Sequence, residues 1–218
     1  MKQYDIGIDL GTSTIIIATE QQGVIFRQPS VGAVDTRSNT VIAVGEDALR
    51  MVGRAPRYID IVRPLRDGVI QDHRMTNELI VRFINQVCPS RLIRPRVAVC
   101  VPAAITGIEA DAVVESVMAA GAKQVYLVDE PVAAALGAGL DIRTPRGCMV
   151  IDIGGGSTDI AVISMGGRVQ AASLPVAGNA FDNCIAQYVQ EKFSIAIGPL
   201  TAEALKKQVA CCSQSEFE

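Results

Sequence analysis

What is scarce in this sequence narrows its chemistry first. Histidine occurs once, at His73, among 218 residues, which excludes a His-rich metal centre and argues against a Ser-His-Asp relay. The six cysteines, Cys88, Cys100, Cys148, Cys184, Cys211 and Cys212, show no Cys-x-x-Cys spacing and mostly sit in apolar segments. They read as reduced core thiols rather than a disulfide framework or zinc site. Neither a Gly-x-x-x-x-Gly-Lys-[Ser/Thr] loop nor a Gly-x-Gly-x-x-Gly fingerprint is present, so any phosphate binding is of neither the P-loop nor the Rossmann kind. Basic clusters are limited to one short arginine group, and 20 Lys+Arg stand against 23 Asp+Glu for a net charge of −3. No nucleic-acid partner is expected. No uninterrupted apolar run reaches the roughly 18 residues of a membrane span. The first residues, Met-Lys-Gln-Tyr-Asp, run into a strand without the apolar core of a signal peptide, so a cytoplasmic location is expected.

What is present is a sequence 49% hydrophobic, with ample core for one large domain or two small ones. It is organised around Met149 to Ser164, MVIDIGGGSTDIAVIS. An apolar run carrying Asp152, three glycines, two hydroxyls and a second apolar run spell a strand, a tight turn and a returning strand. Gly154, Gly155 and Gly156 leave no side chains in the way, so successive backbone N–H groups can converge on an anion. Asp152, at the end of the first strand, would face a metal accompanying phosphates. Tyr4 to Ala18, YDIGIDLGTSTIIIA, repeats the order with Asp9, Gly11, Thr12, Ser13 and Thr14. One such turn alone is as well an ordinary β-turn. Two of them about one domain length apart, with matched Asp residues, suggest a duplicated fold clamping a nucleotide.

Along the chain, Ile6, Ile8 and Leu10 alternate with Asp5, Gly7 and Asp9, which puts both carboxylates on one strand face. A third strand is expected at Gly23 to Arg27, ended by Pro29-Ser30. A more polar stretch follows, with a short strand near Val41 to Val44 and a short helix from Glu46 to Val52. Met75, Leu79, Ile80, Phe83 and Val87 recur at helical spacing between Asp72 and Val87. Arg96 to Val101 reads as a strand ended by Pro102, and Thr106 with Glu109 forms a capping box for a helix that Gly121 terminates. A strand from Gln124 to Val128 then leads into an Ala-rich helix with Pro131 at its first position. This succession points to an α/β fold with helices on both sheet faces. Glu130 can be a carboxylate stabilised by a helix dipole. At a strand end on the same sheet edge as Asp9, it can equally orient or deprotonate a water attacking a terminal phosphate.

Asp9 to Thr12, Glu130 to Ala135 and Asp152 to Asp159 together resemble the actin-like ATPase superfamily, and within it the MreB rod-shape family. Val44 to Ala48, Arg63 to Ile70, Val101 to Thr106 and Ala119 to Leu127 support the resemblance over almost the whole chain. It implies an actin-like ATPase (ribonuclease H-like) fold: a first domain at 1–30 and 68–142, a small inserted subdomain at 31–67, and an incomplete second domain at 143–218. It implies ATP and Mg as ligands, with Asp9 and Asp152 holding the metal through waters. Gly11, Thr12, Ser13 and Thr14, with Gly154, Gly155, Gly156, Ser157 and Thr158, would grip the phosphates, and Glu130 and Ser157 would be catalytic. Ser157 stands where the family usually has threonine; the hydroxyl survives, so hydrolysis that is retained but slower is expected, and Thr14 and Ile15 replace the usual Asn and Thr. Gly178 matches half of a family Gly-Gly, and Glu203, Lys206 and Lys207 fall on the helix that contacts ribose and adenine. Each of these three residues alone is as readily an ordinary helix surface.

Leu92 and Ile93, among Arg91, Arg94 and Arg96, resemble the family's membrane-inserting loop, with apolar tips for the interface and cations for anionic lipid. A packed loop is the competing explanation. The implied partners are other copies of the chain in a filament, the inner face of the cytoplasmic membrane, and membrane proteins of the wall-synthesis and rod complex. Family members continue well past Glu218, so uncovered apolar faces, weak ATP affinity and impaired polymerisation are expected of this chain. A sugar-kinase-like enzyme or a chaperone nucleotide-binding domain are the alternatives, both of which call for larger inserts.

Overall fold

A computed structural model of the chain describes residues 5–66, 69–88, 94–103 and 105–211. Leu92 and Ile93 lie outside the described residues. The chain begins with β1 (Asp5–Leu10), β2 (Thr14–Thr19) and β3 (Gly23–Pro29) in an antiparallel meander. Next come β4 (Gly32–Asp35), β5 (Thr40–Val44), α1 (Glu46–Leu49) and β6 (Ile59–Val62), then the short pair β7 (Leu65–Arg66) and β8 (Val69–Ile70). After α2 (His73–Val87) follow β9 (Arg96–Val101), α3 (Gly107–Ala119), β10 (Gln124–Asp129) and α4 (Glu130–Gly137). The last elements are β11 (Cys148–Ile153), β12 (Thr158–Ser164), β13 (Gly167–Leu174), α5 (Gly178–Phe193) and α6 (Pro199–Val209).

The strands form a five-stranded sheet in the order β10-β9-β1-β2-β3, with β1 parallel to β9 and β9 parallel to β10. Its period-two pattern sends Ile6, Ile8 and Leu10 of β1 and Val97, Val99 and Val101 of β9 into the main core. There they meet Met75, Leu79, Ile80 and Phe83 of α2 and Val113 and Val117 of α3. Each large apolar side chain so buried stabilises the fold by about 1.5–3 kcal/mol. Both helices start where side chains cap them. Asp72 accepts from the Met75 N–H at 2.8 Å, and Thr106 and Glu109 form a reciprocal capping box. Gly121, at φ 104°, takes the turn from α3 towards β10, a conformation costly for any residue with a Cβ.

A second, antiparallel sheet runs β11-β12-β13 and shares a smaller core with α4 through Ala135, Ile142, Ala161 and Ile163. The Arg168 Nε of β13 lies 3.4 Å from Asp129 Oδ2 at the end of β10, which ties the two sheets together. β4, β5 and β6 make a third sheet around Val31, Ala33 and Ala48. Met149, Ile151 and Ile153 of β11 face solvent, and α5 contributes no buried residue. Among the described residues no helix is long and apolar enough to cross a membrane.

Local differences from the sequence expectation have physical causes. α1 stops at Leu49 rather than continuing to Val52, because Met51 and Val52 donate to carbonyls three residues back and tighten the chain into turns. α4 begins at Glu130 with Asp129 as its cap, so Pro131 is one residue inside the first turn, still where no helical N–H is needed.

Candidate functional site

Three chain segments meet at one point. The β1–β2 hairpin turns through Gly11, Thr12 and Ser13, and a Cβ on Gly11 would stand 2.7 Å from the Thr14 carbonyl oxygen, so only glycine fits. The β11–β12 hairpin closes with the Gly154 N–H donating to the Ser157 carbonyl at 2.9 Å. Its tip packs on Ser13. The start of α5 is stitched to the same tip: the Gly178 N–H donates to the Gly154 carbonyl at 3.1 Å and the Asn179 N–H to the Gly155 carbonyl at 2.8 Å. The Ser13 hydroxyl donates to Asn179 Oδ1 at 3.4 Å. Thr158 gives its hydroxyl hydrogen to the Val176 carbonyl at 2.6 Å, so that hydroxyl is committed to the backbone. Thr12 is buried.

Carboxylates from four strands and helices crowd the same region. Asp152 and Asp159 are registered partners across β11 and β12, Asp9 lies near the end of β1, and Glu130 opens α4. Burial, with the charges of Asp9, Asp159 and Asp152, pushes Glu130 up to about 8. Burial and the charge of Asp152 raise Asp9 to about 6, opposed by Arg27. Asp152 is also raised, by burial and then by Asp159. Cys100, paired with Asp9 between β9 and β1, is pushed up to about 12 by burial and by Asp9, Glu130 and Asp152. Groups that perturb one another in this way share one low-dielectric space. Asp9, Glu130, Asp152 and Ser157, drawn from three separate motifs, are thus brought together.

Beside this cluster opens a cleft of about 490 Å³, lined by Ser13 and Thr14, by Asn179 and Asp182 of α5, and by Glu203 and Lys207 of α6. The clustered acids are not among its lining residues. Lys207 Nζ lies 2.6 Å from Glu203 Oε1 on the exposed surface of α6. Lys206 does not line the cleft. Its Nζ donates to the Gly178 carbonyl at 2.9 Å and pairs with Asp182 Oδ1 at 2.8 Å, which fastens α6 to the start of α5. At the other end of the main sheet, Arg96 makes a bidentate pair with Asp5 at 2.9 and 2.6 Å, so that arginine of the Arg91 to Arg96 group is engaged within the fold.

Sequence reasoning gave no site role to Asp159, Asn179, Asp182 or Cys100, the last read only as a core thiol. Asp159 carried a signal: it alternates with Ala161 and Ile163, the inward residues of β12. The roles of Asn179 and Asp182 depend on the packing of α5 against the hairpins, which leaves no local pattern.

Two glycine hairpins in contact, one on the five-stranded mixed sheet and one on the antiparallel sheet, each carrying an aspartate near the end of its first strand, define an actin-like ATPase fold. The cell shape-determining protein Mbl of Bacillus subtilis is 47% identical over 207 residues, covering 94% of this chain and 62% of the relative. The cell shape-determining protein MreB of Pasteurella multocida is 46% identical over 211 residues, covering 94% and 60% respectively. The crystal structure of MreB5 of Spiroplasma citri bound to ADP superimposes with a TM-score of 0.93 at 36% identity, covering all of this chain and 65% of that one. Residues 3–218 match the family model of the MreB/Mbl protein, and the chain belongs to that family. It spans less than two thirds of the length of the curated relatives it matches.

Proposed function

We propose that this chain binds ATP with Mg²⁺ between its two glycine hairpins, hydrolyses it, and uses the nucleotide state to govern assembly into filaments that help set cell shape. The observation that carries this reading is the convergence of Asp9, Asp152, Glu130 and Ser157 beside two hairpin tips in contact. Family membership favours a filament protein over a sugar kinase or a chaperone domain, and the likeness to an ADP-bound relative favours a nucleotide.

The backbone N–H groups of Gly11 to Thr14 and of Gly154 to Thr158 would cradle the phosphates, assisted by the Gly178 end of α5. Asp9 and Asp152 would hold magnesium. The donor set suits it: Asp9 and Asp152 are half-buried carboxylates brought close to each other from two hairpins, hard oxygen donors of like charge. Among the described residues no three His, Cys, Asp or Glu side chains form a metal-holding group by themselves. Two carboxylates alone would leave a hard ion to complete its shell with other oxygen ligands. When bound, the ion supplies neutralisation of the phosphate charge and polarisation of the terminal phosphoryl group. Glu130 would orient a water and accept its proton, and Ser157 would hold that water by its hydroxyl. Glu203 and Lys207 line the cleft where ribose and base would lie, while Lys206 supports the helix that carries them.

Residues 1–30 with 68–142, residues 31–67, and residues 143–218 are read as the first domain, its insert and part of the second. We place the protein at the inner face of the cytoplasmic membrane, with Leu92 and Ile93 as the lipid-entering tips and wall-synthesis membrane proteins as partners. Phosphate release and light scattering after addition of Mg-ATP test the central reading. Both signals should rise; a chain that gives neither, and takes up no nucleotide in calorimetry, refutes it. Vesicle pelleting of a Leu92→Ser/Ile93→Ser double variant tests the membrane step, which fails if lipid binding is unchanged.

A further inference from the structure

Asp159 is the one charged side chain among the described residues that is fully buried, at 2% exposure. It receives a single side-chain hydrogen bond, from the Ser157 hydroxyl to Oδ2 at 3.0 Å. Its Oδ1 is buried and has no hydrogen-bond partner among the described residues. A carboxylate removed from water with half its acceptor capacity unmet is costly, and such groups persist where a ligand or an ordered water completes them. The ladder puts Asp159 directly across from Asp152, beside the turn that carries Gly154 to Ser157.

The consequence lies in the direction of the Ser157 hydroxyl. A serine has one hydrogen to donate and two lone pairs. Asp159, an acceptor only when ionised, takes that hydrogen. Ser157 can then only accept from a water in front of it, which fixes one O–H of the water towards Ser157. The second O–H is left for Glu130, and a lone pair of the water for phosphorus. Without Asp159 the hydroxyl rotates, and it can donate to the water and turn the nucleophilic lone pair away.

We propose that Asp159 is a positioning residue for hydrolysis: it orients the Ser157 hydroxyl as an obligate acceptor for the attacking water. The inference rests on the ATPase reading above. In the step itself, the water oxygen forms the new bond to the terminal phosphorus and the bond to the bridging oxygen breaks. One water proton passes to Glu130, and none passes to Asp159.

The test is a cycle of Asp159→Asn, Ser157→Ala and the double variant in the full chain, read by steady-state phosphate release, calorimetric affinity for the analogue AMPPNP, and thermal unfolding. Each single variant should lose ~10²-fold in kcat, and the double variant should lose no more than either single one. In Asp159→Asn, AMPPNP affinity should stay within about threefold of the parent. Asp159→Asn should unfold at the same temperature as the parent or higher, because a poorly paired buried charge is removed. Asp159→Glu, which keeps an acceptor-only group, should recover part of the rate. Losses that multiply in the double variant, or a fall in kcat matched by falls in AMPPNP affinity and unfolding temperature, overturn the inference and leave the ATPase reading standing. A parent chain that binds AMPPNP but releases no phosphate overturns both.

Discussion

Ser13 occupies the space that a side chain on Gly155 would need: a Cβ there would stand 2.0 Å from Ser13 Oγ and 2.7 Å from Ser13 Cβ. A new serine rotamer relieves the first clash but not the second. Gly155→Ala should therefore push the hairpin tips apart, at a cost of about 1–3 kcal/mol where the overpacking is absorbed. Because the displaced groups are the ones proposed to hold phosphate, nucleotide affinity should fall at least ~10-fold, equivalent to ~1.4 kcal/mol. Gly107→Ala, at the open first position of α3 with no heavy atom within 4 Å, is the control and should leave affinity unchanged. Titration calorimetry on both variants decides; equal affinities would separate the hairpin contact from nucleotide binding.

The acid cluster imposes a pH dependence of definite sign. Glu130 rises from 4.5 to about 8 in the fold and Asp9 from 3.8 to about 6. A folded state that holds these protons more tightly than the unfolded chain loses stability as pH rises. Without nucleotide, stability should thus fall from pH 4.5 upwards as Glu130 is titrated, with the loss complete above about 8. Glu130→Gln removes this component, and should raise the unfolding temperature at pH 8 by several degrees, corresponding to ~1–2 kcal/mol once solvent access to the site is allowed for. At pH 5 the variant and the parent should nearly coincide. Scanning calorimetry at the two pH values checks this; a parent that becomes more stable from pH 5 to 8 by an amount Glu130→Gln abolishes would reverse the sign.

Thiol reactivity offers an independent view of the same electrostatics. The thiolate is the reactive form, and burial with three neighbouring carboxylates holds Cys100 near 12. Cys184 is exposed on α5. Brief alkylation at pH 8 followed by peptide mapping should label Cys184 and leave Cys100 unmodified until the chain is unfolded. Early labelling of Cys100 would mean that the cluster is open to solvent.

Much of this arrangement was legible because its signals are local. The hairpins at Gly11 and Gly154, the capping box of Thr106 and Glu109, and the strand ended by Pro102 each follow from a few neighbouring residues. What escaped lacks a buried period. β13 is almost wholly exposed and shows no alternation, and α5 buries nothing although Phe181, Ile185 and Tyr188 recur at helical spacing along it. The partner of Asp159 was only two residues away, yet its burial is a product of sheet and helix packing. Lys206 illustrates the same limit: adjacent lysines on one helix have identical local signatures, and only tertiary contacts separate their tasks.

That separation of Lys206 from Lys207 yields a prediction with opposite outcomes for neighbouring residues. The Lys206–Asp182 pair is 20% and 13% exposed, whereas the Lys207–Glu203 pair is 69% and 40% exposed. Removing the first cation strands a partly buried carboxylate and the Gly178 carbonyl, which should cost ~2 kcal/mol, between the values for exposed and buried pairs. Lys206→Met should therefore lower the unfolding temperature by roughly 4–8 °C. Exposed pairs of the second kind contribute only ~0–1 kcal/mol, so Lys207→Met should leave unfolding almost unchanged. Its cation borders the cleft, however, and its loss should weaken nucleotide binding several-fold. Lys206→Met should also bind more weakly, but with recovery as saturating nucleotide restabilises the docked α6, because a ligand that binds only the folded arrangement shifts the equilibrium towards it. Unfolding scans with and without nucleotide on both variants distinguish support from contact; identical behaviour of the two lysines would remove the division of labour assigned to them.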